Sequence, residues 1–122
     1  MRQDKMVQTG MWGGTAAAVT GDVAMGLVAT GTTQATALAL AKDNNFVGTT
    51  ALNTGVILQA NLHAGDEIYV FNGGANPLLV YPPVGGTING GAANADVSLP
   101  SLKGASFRVA SDGLTFGTSG GV

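Results

Sequence analysis

Clusters of glycine, asparagine and proline divide most of this 122-residue chain into apolar runs that are too short for helices. From residue 27 onwards, turn signals recur about every 8–12 residues, and several of the runs between them alternate apolar and polar side chains. This spacing is typical of short strands connected by tight turns. We therefore predict an all-β domain over residues 27–122, built as a β-sandwich or a barrel of about seven to eight short antiparallel strands.

The run at residues 34–41 is the most ambiguous of these. Thr36, Leu38 and Leu40 alternate with alanines. Leucines two positions apart share one face of a strand but not one face of a helix. The spacing therefore favours a strand, while the alanine content keeps a helix as the alternative.

The centre of the domain predicts a hairpin. Residues 66–71 place Ile68 and Val70 on one face and two aromatic side chains on the other. Turn-forming residues fill positions 72–76, and residues 78–81 return as the antiparallel partner. The two prolines that follow end this strand because they have no N–H to donate.

The C-terminal part predicts a second hairpin. Residues 97–99 form a short strand after the turn cluster at 85–91, and residues 105–110 alternate with Phe107 and Val109 facing inward. A turn at 111–113 leads to the last strand at 114–116. The order of residues in 62–70 partly resembles that in 102–109, which indicates either a common turn-to-strand pattern or an internal pseudo-repeat.

Residues 1–26 have a different composition. They contain five glycines and few core-forming side chains, so neither a strand nor a helix period persists. A frayed terminus is one interpretation. The other, which we favour, is an extended arm whose Met6, Met11 and Trp12 dock on another subunit, because methionine and tryptophan are common interface anchors.

Charge is scarce in this sequence. Five basic and seven acidic residues serve the whole chain, with a net charge of −2, and no cysteine is present. The scattered basic residues argue against a nucleic-acid partner. The uncharged stretches are too polar for a membrane span, and the first residues do not resemble a secretory signal. A surface with so little charge favours self-association, and we expect a homo-oligomer, most simply a trimer.

The sequence offers little catalytic or metal-binding chemistry. His63 is the only histidine, and it has no second ligand at a metal-binding spacing. Asp66 and Glu67 precede a strand, where Asp66 is better explained as a turn cap. Four aromatic residues could form a stacking platform or belong to the core, and we favour the core: Tyr69, Phe71, Tyr81 and Phe107. We predict no catalytic residues, no cofactor and no metal site, and therefore a protein that is not an enzyme.

Five segments together resemble a module that is common among structural proteins of tailed-bacteriophage particles. They are residues 32–40 (TTQATALAL), 64–76 (AGDEIYVFNGGAN), 80–83 (VYPP), 85–90 (GGTING) and 107–113 (FRVASDG). The stretch that contains these segments, from Gly31 to Phe116, covers about two thirds of the chain and does not include the N-terminal arm.

This resemblance implies a small β-rich virion protein without catalytic residues. Its expected role is capsid decoration, in which a cement protein stabilises the assembled head by contacting the major capsid protein or other virion proteins. The alternative is a tail or fibre component that contacts the host surface through residues 72–76 and 85–94. Either role implies a location in the virion after assembly in the host cytoplasm.

Overall fold

The computed structural model describes residues 22–120 and 122, and its regular structure is almost entirely β. One short 3₁₀ helix spans Gln34–Thr36. The strands of the described part are β1 (Val23–Val28), β2 (Leu38–Ala39), β3 (Asn44–Thr49), β4 (Gly55–Ile57), β5 (Glu67–Asn72), β6 (Leu78–Tyr81), β7 (Thr87–Ile88), β8 (Val97–Leu99), β9 (Lys103–Val109) and β10 (Thr115–Gly120). The prediction of an all-β domain is confirmed.

The strands form two sheets, and the chain crosses from one to the other after almost every strand. The six-stranded sheet has the order β1-β3-β5-β9-β10-β7, and the four-stranded sheet has the order β2-β4-β6-β8. Strands β1, β3 and β5 are parallel neighbours, as are β2, β4 and β6. The first six strands therefore make three stacked coils of a β-solenoid, and the predicted antiparallel sandwich or barrel is wrong.

The predicted central hairpin is also wrong. β5 lies in the six-stranded sheet and β6 in the four-stranded sheet, so the turn between them joins the two sheets. Asn72 at this turn is fully buried, and its amide donates to the carbonyls of Asn76 and Leu99 at 2.8 and 3.0 Å. Its Oδ1 accepts hydrogen bonds from the hydroxyl of Thr50 and the N–H of Gly74. These bonds fix the crossing between the sheets.

The strands after the three coils pair mostly antiparallel, except that β7 pairs with β10 in parallel. β8 pairs with β6, and β9 pairs with β5 along the whole length of β5. β10 returns alongside β9, with Phe116 opposite Val109, which confirms the C-terminal hairpin. The segments 62–70 and 102–109, whose patterns partly resemble each other, therefore contribute strands that are antiparallel neighbours.

The core lies between the two sheets. Strand alternation directs Ile68 and Val70 of β5 into it. Phe107 and Val109 of β9 also face it, as predicted. The other buried apolar side chains include Val47, Val56, Leu58, Leu78, Val80, Ile88, Leu99, Ala105 and Phe116. Most of them are branched or aromatic, which suits the surface of a pleated sheet.

Only two residues of the predicted strand 34–41 form a strand. The Thr33 N–H donates to Oγ1 of Thr36 at 3.2 Å, and the Thr36 N–H donates to the Thr33 carbonyl. These local bonds favour one turn of 3₁₀ helix over extension. β2 begins only at Leu38, where the chain reaches β4.

The first strand begins inside the segment predicted as an arm. β1 spans Val23–Val28, so residues 23–26 belong to the six-stranded sheet. Met6, Met11 and Trp12 lie outside the described residues, and their predicted role as assembly contacts stays a prediction.

Candidate interaction surface

Three aromatic side chains cluster on the outer face of the six-stranded sheet. In β3 and β5 the residues that alternate with the core side chains are Phe46, Tyr69 and Phe71. Phe46 lies opposite Phe71 in the register, and its ring centroid is 6.0 Å from those of both Phe71 and Tyr69. Tilted aromatic pairs at this distance attract each other and stiffen the group. The three rings form a partly exposed aromatic cluster.

Glycine allows one of these rings to lie flat on the sheet. Gly104 of β9 is opposite Phe71 and next to Tyr69 in the ladder. A Cβ at this position would collide with the Tyr69 hydroxyl, so the ring covers the backbone where a side chain would otherwise stand. This arrangement holds Tyr69 along the sheet surface instead of pointing into solvent.

β1 extends the apolar surface to the edge of the sheet. Ala24 pairs with the buried Asn45, so Val23 and Met25 on either side of it face outward. Their exposed fractions are 39% and 76%. The pairing of β1 with β3 is irregular between Ala24 and Leu27, the stretch that contains Met25.

Val28 belongs to the same surface. It lies between two residues that pack in the core, Leu27 and Ala29, and it is 52% exposed. We call the whole set the apolar strip: Val23, Met25, Val28, Phe46, Tyr69 and Phe71.

Next to the apolar strip, the sheet becomes polar. Arg108 of β9 donates to Oε2 of Glu67 at 2.9 Å, and both side chains are largely solvated. Such an ion pair contributes about 0–1 kcal/mol to stability. A shallow groove of about 500 Å³ begins at Ser106, the register partner of Tyr69, and its outward-facing lining includes Glu67, Arg108, Thr115, Gly117 and Ser119.

The titratable residues singled out from the sequence have structural partners. Oδ2 of Asp66 accepts from the backbone N–H of His63 at 2.8 Å, which makes Asp66 the cap of this turn, while the His63 ring is almost fully exposed. Hydrogen bonds from Thr115, and then from the N–H of Leu114, hold the pKa of the Asp112 carboxyl below its usual range. Within residues 22–120 and 122, His, Asp and Glu form no group of three that could hold a metal ion.

Burial also shifts the pKa values of two other groups. It raises the pKa of Asp43, with a further contribution from the neighbouring Asp22 carboxyl. It likewise raises the pKa of Tyr81, whose hydroxyl donates to the Thr32 carbonyl.

The prediction that the four aromatic residues belong to the core is confirmed for Phe107 and Tyr81 and wrong for Tyr69 and Phe71. Phe107 and Tyr81 are buried, whereas Tyr69 and Phe71 lie on the outer face. Sequence reasoning missed Phe46 because the Asn-Asn-Phe-Val-Gly segment was not predicted as a strand, and it missed Met25 because this residue was placed in the arm. The sequence gives no alternation of apolar and polar residues there, because the two buried neighbours of Phe46 are the polar Asn45 and the apolar Val47.

No protein-family model matches this sequence, and the curated proteins contain no significant match to it. The helical content of residues 22–120 and 122 includes no segment long and apolar enough to cross a membrane. A functional proposal for this chain therefore depends on its own surface chemistry, and the apolar strip is its most distinctive feature.

Proposed function

We propose that this chain is a structural protein of a tailed-bacteriophage particle, a capsid decoration protein that forms a homotrimer and stabilises the assembled head. The observation that carries the proposal is the apolar strip, in which a Met25 side chain that is 76% exposed belongs to the same sheet as three clustered aromatic rings. Contiguous exposed apolar groups on a folded domain mark protein–protein contact surfaces.

Covering the strip provides a driving force for assembly. Complete burial of a methionine or valine side chain is worth about 1.5–3 kcal/mol. Scaled by their exposed fractions, Met25, Val28 and Val23 together offer about 2.5–5 kcal/mol per subunit. The aromatic rings add to this, and no charge of the strip itself has to be desolvated.

The scarcity of charge supports the same role. Twelve charged residues among 122 leave much of the surface to glycine, alanine, serine and threonine. Neutral surfaces of this kind associate readily, and a closed ring of subunits buries them without open-ended growth. A decoration protein that binds the assembled shell, and not its free subunits, stabilises the shell by mass action.

The test is quantitative mass spectrometry of purified particles of the bacteriophage that carries the gene. We expect the chain in a fixed ratio to the major capsid protein. Heads assembled without the chain should open at a lower temperature than complete heads. Addition of the purified chain should raise this temperature again. The Met25→Glu variant should raise it less than the Val84→Glu variant does. Val84 is the matched control because it is also 76% exposed but lies in the turn after β6. Absence of the chain from the particles contradicts the proposal.

The polar groove favours a second candidate, a tail or fibre component that binds host-surface glycans. An aromatic ring beside hydroxyl groups and an Arg–Glu pair offers both a stacking face and hydrogen-bonding groups for a sugar. The loops expected to make this contact are less suitable, because Asn72 is buried and the Asn94 side chain bonds to Gly85. Retention on a glycan array that is lost in Arg108→Ala would support this candidate, and no retention would exclude it.

A further inference from the structure

The N-terminal segment joins the domain directly beside the apolar strip. Residues 1–21 precede Asp22, and β1 begins at the next residue, Val23. An extended chain advances about 3.3 Å per residue, so this segment can reach about 70 Å. It is therefore long enough to contact a neighbouring copy.

The junction itself is firmly held. Oδ2 of Asp22 accepts from the Asp43 N–H at 2.9 Å, and its carbonyl accepts from the Asn44 N–H at 3.3 Å. The Lys42 ammonium lies 3.7 Å from Oδ1 of Asp22. These contacts fix the start of β1 at the end of the sheet where the parallel strands begin.

This fixed direction favours a neighbouring copy as the partner of the segment. A chain that continues backwards from Asp22 along the line of β1 leaves the sheet and moves away from Met25, Phe46 and Phe71. To cover its own strip it has to reverse direction and return along the strand that it joins. The same segment from another copy can approach the strip without this reversal.

The chemistry of the segment matches the strip. Apart from Met1, its largest apolar side chains are Met6, Met11 and Trp12, spaced closely enough for one short stretch to carry all three. Tryptophan is the residue type most enriched among interface anchors, and methionine adapts to irregular apolar surfaces. The strip offers aromatic rings and a second exposed methionine, with no charged group among its members.

We infer that Met6, Met11 and Trp12 of one copy dock on the apolar strip of a neighbouring copy. This inference rests on the proposed homo-oligomer and names its contact. Because the segment and the strip are different surfaces, the contact is heterologous, and three such contacts in a ring give a closed trimer. Each subunit then supplies one segment and one strip.

A complementation experiment with two full-length variants tests the docking. Met25→Glu places a charge on the strip and leaves the segment intact, while Met11→Ala/Trp12→Ala alters the segment and leaves the strip intact. Each variant alone should be monomeric by light scattering at concentrations where the unmodified chain is an oligomer, with at least tenfold weaker association. Mixed together, they should form a complex through one intact contact. Val84→Glu, the matched control, should assemble like the unmodified chain.

Fluorescence gives an independent measure of the same contact. Trp12 is the only tryptophan, so its emission reports on this position alone. In the mixture only the Met25→Glu chain carries it, and its emission should shift to shorter wavelength on addition of the second variant. Circular dichroism and an unchanged urea midpoint would show that both variants are folded.

Three results would overturn the docking. One is a mixture that forms no complex. Another is Trp12 emission that is already buried in the monomer and independent of concentration, which indicates docking on the same chain. A third is an oligomer that persists in Met11→Ala/Trp12→Ala. That result would show that the subunits contact each other through other residues, and it would not contradict the proposed function. The proposed function fails separately, if the chain is missing from purified particles.

Discussion

Replacing Asn72 tests how the crossing between the sheets is stabilised. Its side chain is fully buried and makes four hydrogen bonds, two as donor and two as acceptor. In Asn72→Ala the Gly74 N–H and the Thr50 hydroxyl lose their acceptor inside the protein. A buried polar group left without a partner costs about 1–3 kcal/mol, and the two carbonyls that lose a donor add less.

The expected loss for Asn72→Ala is therefore about 3–4 kcal/mol, a large part of the roughly 5–15 kcal/mol that stabilises a domain. At about 4–6 °C per kcal/mol, this lowers Tm by about 12–24 °C. Asn72→Asp should also destabilise, because it places a carboxylate oxygen against the carbonyls of Asn76 and Leu99.

Urea unfolding at one fixed protein concentration measures the loss, with oligomerisation held constant. The control is Thr49→Ala, an exposed position on β3 next to Thr50, for which we expect a change within about 0.5 kcal/mol. A loss of less than about 1 kcal/mol in Asn72→Ala, with an unchanged m-value, would refute the argument that these bonds hold the crossing. Residues 72–76 would then again be candidates for a contact with a partner.

Three further predictions concern the core, the aromatic cluster and pH. Phe107→Ala removes the ring of a fully buried residue and should cost about 3–5 kcal/mol in urea unfolding, whereas Leu52→Ala at an exposed turn should change little. Gly104→Ala should displace the Tyr69 ring from the sheet and raise its solvent accessibility, measured by tyrosine fluorescence quenching; an unchanged signal contradicts the close approach. Because the folded-state pKa of Asp112 is lowered, its contribution to stability is present above about pH 4 and lost as pH falls through the folded-state pKa. Asp112→Asn should therefore reduce the loss of stability between pH 5 and pH 2.5, and identical acid profiles for the two proteins would contradict this.

On the outer face of the six-stranded sheet, the sequence predicts some members of the apolar strip but not others. Tyr69 and Phe71 were correctly placed on the face opposite Ile68 and Val70, because alternation within one strand is a local property. Tyr69 and Phe71 form an apolar surface only together with Phe46 and Met25, which belong to two other coils. The register that brings these strands together is set by contacts between residues far apart along the chain.

The composition and alternation of this sequence determined by themselves that the domain is all-β, that Phe107 and Val109 face the core, and that the chain ends in a hairpin. Each of these follows from neighbours within about ten residues. Only the tertiary structure decided that β5 and β6 lie in different sheets and that the first six strands stack as parallel coils. A turn rich in glycine and asparagine can return a strand beside its predecessor or carry it to a facing sheet, and the choice here depends on the bonds that Asn72 makes with Thr50 and Leu99. Those partners lie 22 and 27 residues away along the chain, beyond the reach of any local pattern.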